Sequence, residues 1–178
     1  MTGSRLLSLA LLLFVTSFSE TAAAANLNAT WNGGLGSWST AAEWSGGVVP
    51  NNSGGNDFNV SIDGGNPIAS TVTLDSNATV SKLAIDSGDE LDQVNGTTLA
   101  IAGGPAVNNG LWKLNTSGAP TDIRFFDGVT LSGTGSIVMN DALFLANRIL
   151  TDSSWSPVDL HDRFDKRKSS TSEFMTSI

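Results

Sequence analysis

The sequence predicts an all-β protein of the parallel β-helix, or β-solenoid, class, in which short strands stack coil upon coil. Apolar residues recur in pairs two positions apart, which places both members on one face of a strand. Gly, Asn, Asp and Ser separate these pairs at short intervals, as turns require. Outside the N-terminal segment, no window shows the sustained i, i+3, i+4, i+7 apolar spacing of an amphipathic helix.

The composition excludes several classes of function. The chain has 178 residues, and acids outnumber bases by 17 to 9, which gives a net charge of −8. A nucleic-acid partner is not expected, because such an interface needs clustered Lys and Arg. The chain has no Cys and a single His, which excludes disulfides, Cys-based metal sites and a multi-histidine metal centre.

Residues 1–25 are predicted to be a secretory signal peptide. Arg5 precedes an apolar run at residues 6–18, which is shorter than the ~20 residues that a membrane span needs. Ala23 and Ala25 are the small residues that signal peptidase accepts, which predicts cleavage after Ala25. We therefore expect a secreted or cell-surface protein whose mature chain has no transmembrane span.

Residues 26–57 are predicted to form a Trp- and Gly-rich N-terminal cap. Trp31, Trp38 and Trp44 follow one another closely, and a Gly-rich stretch separates the first two. A Trp ring buries a large apolar area and has an N–H that needs a partner. The three rings are therefore expected either to cover the open end of the stack or to stand exposed and stack on sugar rings of a carbohydrate.

The order of residues in this segment also carries a resemblance. The segment contains, in order, Trp31, Gly34, Gly36, Trp38, Trp44, Pro50 and Asn51. This pattern resembles the N-terminal region of large bacterial secreted β-solenoid surface proteins, which are adhesin-like or similar to autotransporter passengers and often carry a PEP-CTERM sorting tail. Glu43 stands where Asn is usual in that pattern. The resemblance implies an extracellular β-solenoid with glycans or other surface proteins as partners.

Residues 58–147 are predicted to form the coils of the solenoid. The strands should be short, about 3–6 residues, because turn formers separate the apolar pairs so closely. The pairs are Val60/Ile62, Val72/Leu74, Leu83/Ile85, Leu99/Ile101, Trp112/Leu114, Ile123/Phe125, Val129/Leu131, Ile137/Met139 and Leu143/Leu145.

A weak internal repeat favours the solenoid over the alternative, an antiparallel β-sandwich. Val72-Thr73-Leu74 is similar to Val129-Thr130-Leu131, and the distance between these segments would correspond to three coils of about 19 residues. Leu83-x-Ile85 recurs as Leu99-x-Ile101 after a stretch of chain that one short coil would occupy. The repeat is imprecise, so the sandwich stays open as the alternative.

The densest acidic cluster is a candidate metal site. It consists of Asp86, Asp89, Glu90 and Asp92. Calcium takes six to eight oxygen ligands, which carboxylates around a turn can supply, and an acid pair could instead serve glycan hydrolysis. The alternative is a solvated turn between two strands. The cluster lacks the sequence pattern of ligands in an EF-hand loop, which favours this alternative. No other cofactor is expected.

The sequence favours a non-catalytic structural or adhesin-like module. A polysaccharide lyase would need acids and a basic residue on one face, but the spacing of Lys82, Lys113 and Arg124 does not align them. His161 lies among charged residues near the C terminus and is a poor candidate for Ser-His-Asp catalysis. The alternatives are a fragment of a polysaccharide-active β-helix enzyme and a carbohydrate-binding module of sandwich type.

Residues 148–178 are predicted to be an irregular polar tail. The paired apolar spacing stops after Leu145, and the segment 151–178 contains five acids, four bases and no Gly. Proteins that the Trp-rich segment resembles usually continue through many more coils. We therefore expect a truncated or frame-shifted reading frame, with a genuine polar cap as the alternative.

Overall fold

A computed structural model describes residues 25–126, 128–141 and 146–151 of the chain. Within these ranges the chain forms fourteen β-strands and one short 3-10 helix, Ala41–Glu43, and contains no α-helix. The predicted signal peptide up to residue 24, the pair Leu143/Leu145, and the tail from residue 152 with His161 lie outside the described residues.

The strands form three sheets, and every strand pair within them is parallel. The first sheet contains β1 (Ala25–Thr30), β3 (Asn56–Ile62), β6 (Lys82–Ile85), β9 (Ala106–Asn108) and β12 (Leu131–Ser132). The second sheet contains β2 (Leu35–Ser37), β4 (Thr71–Leu74), β7 (Glu90–Gln93), β10 (Leu111–Thr116) and β13 (Ser136–Asp141). The third sheet contains β5 (Ala78–Val80), β8 (Thr98–Ile101), β11 (Thr121–Phe125) and β14 (Asn147–Thr151).

From β3 onward the chain visits the three sheets in rotation, so each coil adds one strand to each sheet. From β6 onward each strand therefore pairs with the strand three elements earlier, whereas the hairpins of a sandwich would pair consecutive strands in antiparallel fashion. The predicted parallel β-helix is confirmed, and the antiparallel β-sandwich is wrong for this chain.

The predicted apolar pairs line the interior of the stack. Val60 lies beside Leu83, and Leu83 lies beside Ala106, so buried side chains form a column along the first sheet. Both members are buried in six of the pairs, which are Val60/Ile62, Val72/Leu74, Leu83/Ile85, Leu99/Ile101, Trp112/Leu114 and Ile123/Phe125. The core is thus continuous from coil to coil, as stacking requires.

The last described coil is less well covered than the others. Val129, Leu131 and Ile137 are partly buried, and Met139 is 43% exposed. Among the described strands, β12, β13 and β14 are the last of their sheets. The apolar side chains of this coil are open because no strand within the described ranges stacks on that side.

The predicted internal repeat is wrong. Leu83 lies in the first sheet and Leu99 in the third, so these residues belong to one coil rather than to successive coils. Val72 lies in the second sheet and Leu131 in the first, so their similar segments are not equivalent positions of two coils. The bends between strands differ in length, and a fixed period therefore cannot describe the coils.

The stack also extends beyond residues 58–147. β1 and β2 lie in the segment predicted as a cap, and they pair in parallel with β3 and β4. At the other end, β14 continues to Thr151, past the predicted start of the tail. The Trp-rich segment is therefore the first coil of the stack.

The bend between β9 and β10 lies against the acidic cluster of the preceding coil and requires glycine. Gly110 lies between β9 and β10, and a Cβ atom there would overlap the backbone carbonyl oxygens of Asp86 and Asp89. Gly135 makes the same close approach to Gly110 one coil later. A residue without a side chain is needed because successive bends approach so closely.

Candidate functional site

The acidic cluster begins at the corner between the first and second sheets, where Asp89 is buried. Its side chain is 3% exposed. Asp89 Oδ1 accepts a hydrogen bond of 2.9 Å from the backbone N–H of Ser70, and Oδ2 accepts one of 3.3 Å from the backbone N–H of Asp63. Asp89 therefore satisfies backbone donors of the preceding coil that would otherwise be buried without a partner.

A second buried carboxylate, Asp63, completes this corner. Ser70 Oγ donates to Asp63 Oδ2 at 2.6 Å, and the Asn66 backbone N–H donates to Oδ1 at 2.9 Å. Burial raises the pKa of Asp89, the nearby carboxylates of Asp63 and Asp86 raise it further, and the backbone hydrogen bonds only partly offset this rise. Asp63 could not be predicted from the sequence, because a Gly-rich turn gives no sign of the coil stacked beside it.

Glu90 and Asp92 of the cluster have separate partners. Glu90 Oε1 accepts a hydrogen bond of 2.7 Å from Lys113 Nζ, and Asp92 accepts one from the side-chain amide of Asn115. In the described ranges, no group of three or more His, Cys, Asp or Glu side chains is arranged to hold a metal ion. The fold thus does not bring the predicted calcium ligands Asp86, Asp89, Glu90 and Asp92 together into one site.

The three tryptophans of the first coil pack against one another. The ring centroids of Trp31 and Trp44 are 5.0 Å apart at an interplanar angle of 81°, and those of Trp38 and Trp44 are 4.8 Å apart at 69°. These are edge-to-face contacts, which aromatic rings favour. The indole N–H groups of Trp31, Trp38 and Trp44 donate to the backbone carbonyls of Gly34, Pro50 and Trp38, respectively.

This packing decides between the two predictions for the tryptophans. All three side chains are 0–1% exposed, so no ring face is accessible to a sugar. The carbohydrate-stacking hypothesis for Trp31, Trp38 and Trp44 therefore does not hold in this structure. The rings lie instead in the core, in one hydrophobic cluster with buried side chains of the coil that follows.

The three cationic residues considered for a lyase lie on three different sheets. Lys82 belongs to the first sheet, Lys113 to the second and Arg124 to the third. Lys113 is paired with Glu90, and Arg124 with Asp122. The fold therefore directs these residues to separate faces of the stack.

The third sheet carries a buried carboxylate between two arginines. Asp122 is 2% exposed, and Arg148 Nε and Nη2 donate to its two carboxylate oxygens at 2.7 and 2.8 Å. Arg124 Nη2 donates to Asp122 Oδ2 at 3.1 Å. Burial acts to raise the pKa of Asp122, but the hydrogen bonds and charges of both arginines outweigh burial and lower it. Two guanidinium groups share one carboxylate, so this ion cluster carries one net positive charge.

Arg124 was a candidate from the sequence, whereas Asp122 and Arg148 were not. One signal was present, because Asp122 and Arg124 are two residues apart and therefore share a face of β11. Arg148 lies in β14, and only the parallel register places it beside Asp122. The sequence between them gives no indication of this register.

A groove of about 410 Å³ lies on the outer face of the third sheet, beside this ion cluster. Its volume is within the range of ~300–1,000 Å³ that is common for ligand pockets. The Arg124 side chain is 49% exposed and Phe126 is 38% exposed, so a guanidinium group and an aromatic ring both border the groove. The remaining polar lining comes from Asn51, Asn77, Thr79 and Thr98.

Two asparagines that line the groove use their amide oxygens for the fold. Asn51 Oδ1 accepts a hydrogen bond of 2.9 Å from the Thr79 backbone N–H, and Asn77 Oδ1 accepts one of 2.8 Å from the Thr98 backbone N–H. Backbone N–H groups of the neighbouring strands occupy both amide oxygens, and no hydrogen bond from either Nδ2 group is present among the described residues, so both remain available as donors. The described lining residues of the groove include no carboxylate.

Comparison of the chain with known protein families, with curated proteins and with solved structures finds no match. The fold assignment therefore depends on the parallel pairing of the strands. Within the part of the chain that the structure describes, no helix is long and apolar enough to cross a membrane.

Proposed function

We propose that the chain is exported and acts outside the cell as a non-catalytic β-solenoid module with a structural or adhesive role. The proposal is supported by one observation: the buried and paired charged side chains bond to the backbone or to one another and so stabilise the fold. Asp89 binds backbone amides at a corner, Glu90 binds Lys113, and Asp122 is held between two arginines. General acid–base catalysis instead needs titratable groups that converge on one substrate.

The outer surface supports a structural or adhesive role. Polar side chains of successive coils bind one another, with Asn59 Nδ2 donating to Asn28 Oδ1 at 3.2 Å and Asn140 Nδ2 donating to Asn115 Oδ1 at 2.6 Å. Such ladders hold one coil against the next. They also place hydrogen-bonding groups along the outer surface, which suits contact with glycans or with the surface of another protein.

The predicted signal peptide and the resemblance of the Trp-rich segment to bacterial secreted surface proteins support an extracellular location. Cleavage after Ala25 is compatible with the first coil. Ala25 pairs with Asn56 at the start of β1, and the five pairs from Asn26 to Thr30 would remain after cleavage.

Export is tested by producing the full chain in a bacterium and sequencing the N terminus of the protein recovered outside the cytoplasm. We expect the sequence to begin Asn26-Leu27-Asn28. Ala23→Arg places a large charged side chain close before the cut and should stop cleavage. Full-length wild-type protein retained in the cytoplasm would contradict export.

The non-catalytic role is tested separately. It would be contradicted if the wild-type protein degraded a polysaccharide and Asp89→Asn abolished that activity at an unchanged melting temperature.

A further inference from the structure

We propose that the groove on the outer face of the third sheet binds an acidic polysaccharide, with Arg124 holding its carboxylate or sulfate groups. This inference rests on the proposed function in one respect, because the protein must be outside the cell to encounter such a polysaccharide. Three features of the groove support this ligand: its free donors, its one uncompensated positive charge and its extent across the coils.

Arg124 has hydrogen-bonding capacity that the fold does not use. A guanidinium group has five N–H donors, and within the described ranges only Nη2 of Arg124 is bonded, to Asp122 Oδ2 at 3.1 Å. Arg148 already binds both oxygens of Asp122 and compensates this buried charge. Arg124 is therefore free to form a second, planar interaction, and its fork of donors matches carboxylate and sulfate oxygens.

The other lining groups favour a sugar that is rich in acceptors. The Nδ2 groups of Asn51 and Asn77 are donors, and the hydroxyls of Thr79 and Thr98 can donate as well. Phe126 adds an exposed aromatic ring on which the apolar face of a sugar can pack. A cationic ligand is disfavoured because Arg124 would repel it.

The extent of the groove favours a polymer over a small anion. Asn51 belongs to the first coil, Thr79 to the second, Thr98 to the third and Arg124 to the fourth. With strands ~4.8 Å apart, these four coils span about 14 Å. One small anion contacts Arg124 alone, whereas an extended saccharide reaches the arginine and both asparagines.

The proposal is tested by calorimetric titration of the purified full chain with polygalacturonate, with dextran sulfate and with fully methyl-esterified polygalacturonate. We expect binding to at least one acidic polymer and none to the neutral ester. Arg124→Gln should weaken binding about tenfold or more, because a charge-assisted hydrogen bond is lost. Thr98→Glu introduces a carboxylate into the groove and should abolish binding.

Lys82→Gln is the matched control, because it removes the same charge from an exposed position on the first sheet. We expect it to leave the affinity within about twofold. Equal binding of the neutral ester, or equal losses in Lys82→Gln and Arg124→Gln, would overturn the proposal. So would self-association that buries Phe126 in place of polymer binding. If Arg124→Gln lowers the melting temperature, the binding of Thr98→Glu tests the proposal instead. Unchanged polymer binding by Thr98→Glu would then overturn it. These outcomes are independent of the N-terminal sequence that tests export.

Discussion

Trp112 Nε1 donates a hydrogen bond of 2.7 Å to Gln93 Oε1 inside the stack. Both side chains are fully buried, and Gln93 Nε2 donates in turn to the backbone carbonyl of Asp122 at 3.1 Å. Gln93 therefore connects the second sheet to the third and satisfies the indole N–H of the next coil. A buried polar side chain is tolerated in this apolar core because its hydrogen bonds are made.

Gln93→Leu should lower the free energy of unfolding by about 1–3 kcal/mol, because the Trp112 N–H and the Asp122 carbonyl lose their buried partner. Urea unfolding followed by circular dichroism measures this change. Ser87→Ala, in an exposed turn, is the control and should change stability by less than about 0.5 kcal/mol. A Gln93→Leu protein as stable as wild type would show that the hydrogen bonds do not contribute.

Trp44→Ala should lower the free energy of unfolding by about 3–5 kcal/mol, because Trp44 contacts both Trp31 and Trp38 at the end of the core. Trp44→Phe keeps most of the ring contact but loses the hydrogen bond to the Trp38 carbonyl, so its loss should be smaller. Leu35→Ala is the control, because Leu35 is 81% exposed. Equal losses in Trp44→Ala and Leu35→Ala would contradict the role of the tryptophans.

Asp89 and Asp122 should make stability depend on pH in opposite directions. The pKa of Asp89 in the folded protein is raised above its ordinary 3.8, so its contribution to stability grows as the pH falls through the raised pKa towards 3.8. The pKa of Asp122 is lowered below 3.8, so its contribution is complete above 3.8 and is lost as the pH falls below that value.

Urea unfolding of wild type, Asp89→Asn and Asp122→Asn between neutral pH and about pH 3 separates these contributions. As the pH falls, the stability of wild type relative to Asp89→Asn should rise, and its stability relative to Asp122→Asn should fall. Differences that change with the same sign would contradict the assignment of the two pKa shifts.

Met139→Lys should reduce self-association of the protein. Met139 lies beside Leu114 in the inner column of the second sheet, yet it is 43% exposed on the terminal strand β13. Terminal strands can pair with other chains, and a charge at such a strand opposes that pairing. Sedimentation velocity over a range of concentrations measures the effect. Val48→Lys adds the same charge at an exposed position of the first coil, and an equal effect there would point to net charge instead.

Much of the fold could be predicted from local spacing. The alternation at Val60/Ile62 and Leu83/Ile85 predicted strands whose inner residues are buried, because side chains two apart share a face in any extended backbone. The Trp-rich segment was correctly singled out, but whether its rings are buried or exposed could not be decided from spacing. That choice depends on which coil the segment packs against.

By itself, the sequence determined that the chain is built of short strands with one apolar face, since this follows from residues that are near one another along the chain. Only the tertiary structure decided which strands are neighbours. Val72 lies beside Leu91, whereas Ala106 lies beside Leu131, so the length of chain between stacked partners changes from coil to coil. Backbone hydrogen bonds between parallel strands are the same for nearly every residue type, so they do not encode a partner. The bend lengths and the packing of the core select the register, and that register brings Arg148 to Asp122 and forms the groove beside Arg124.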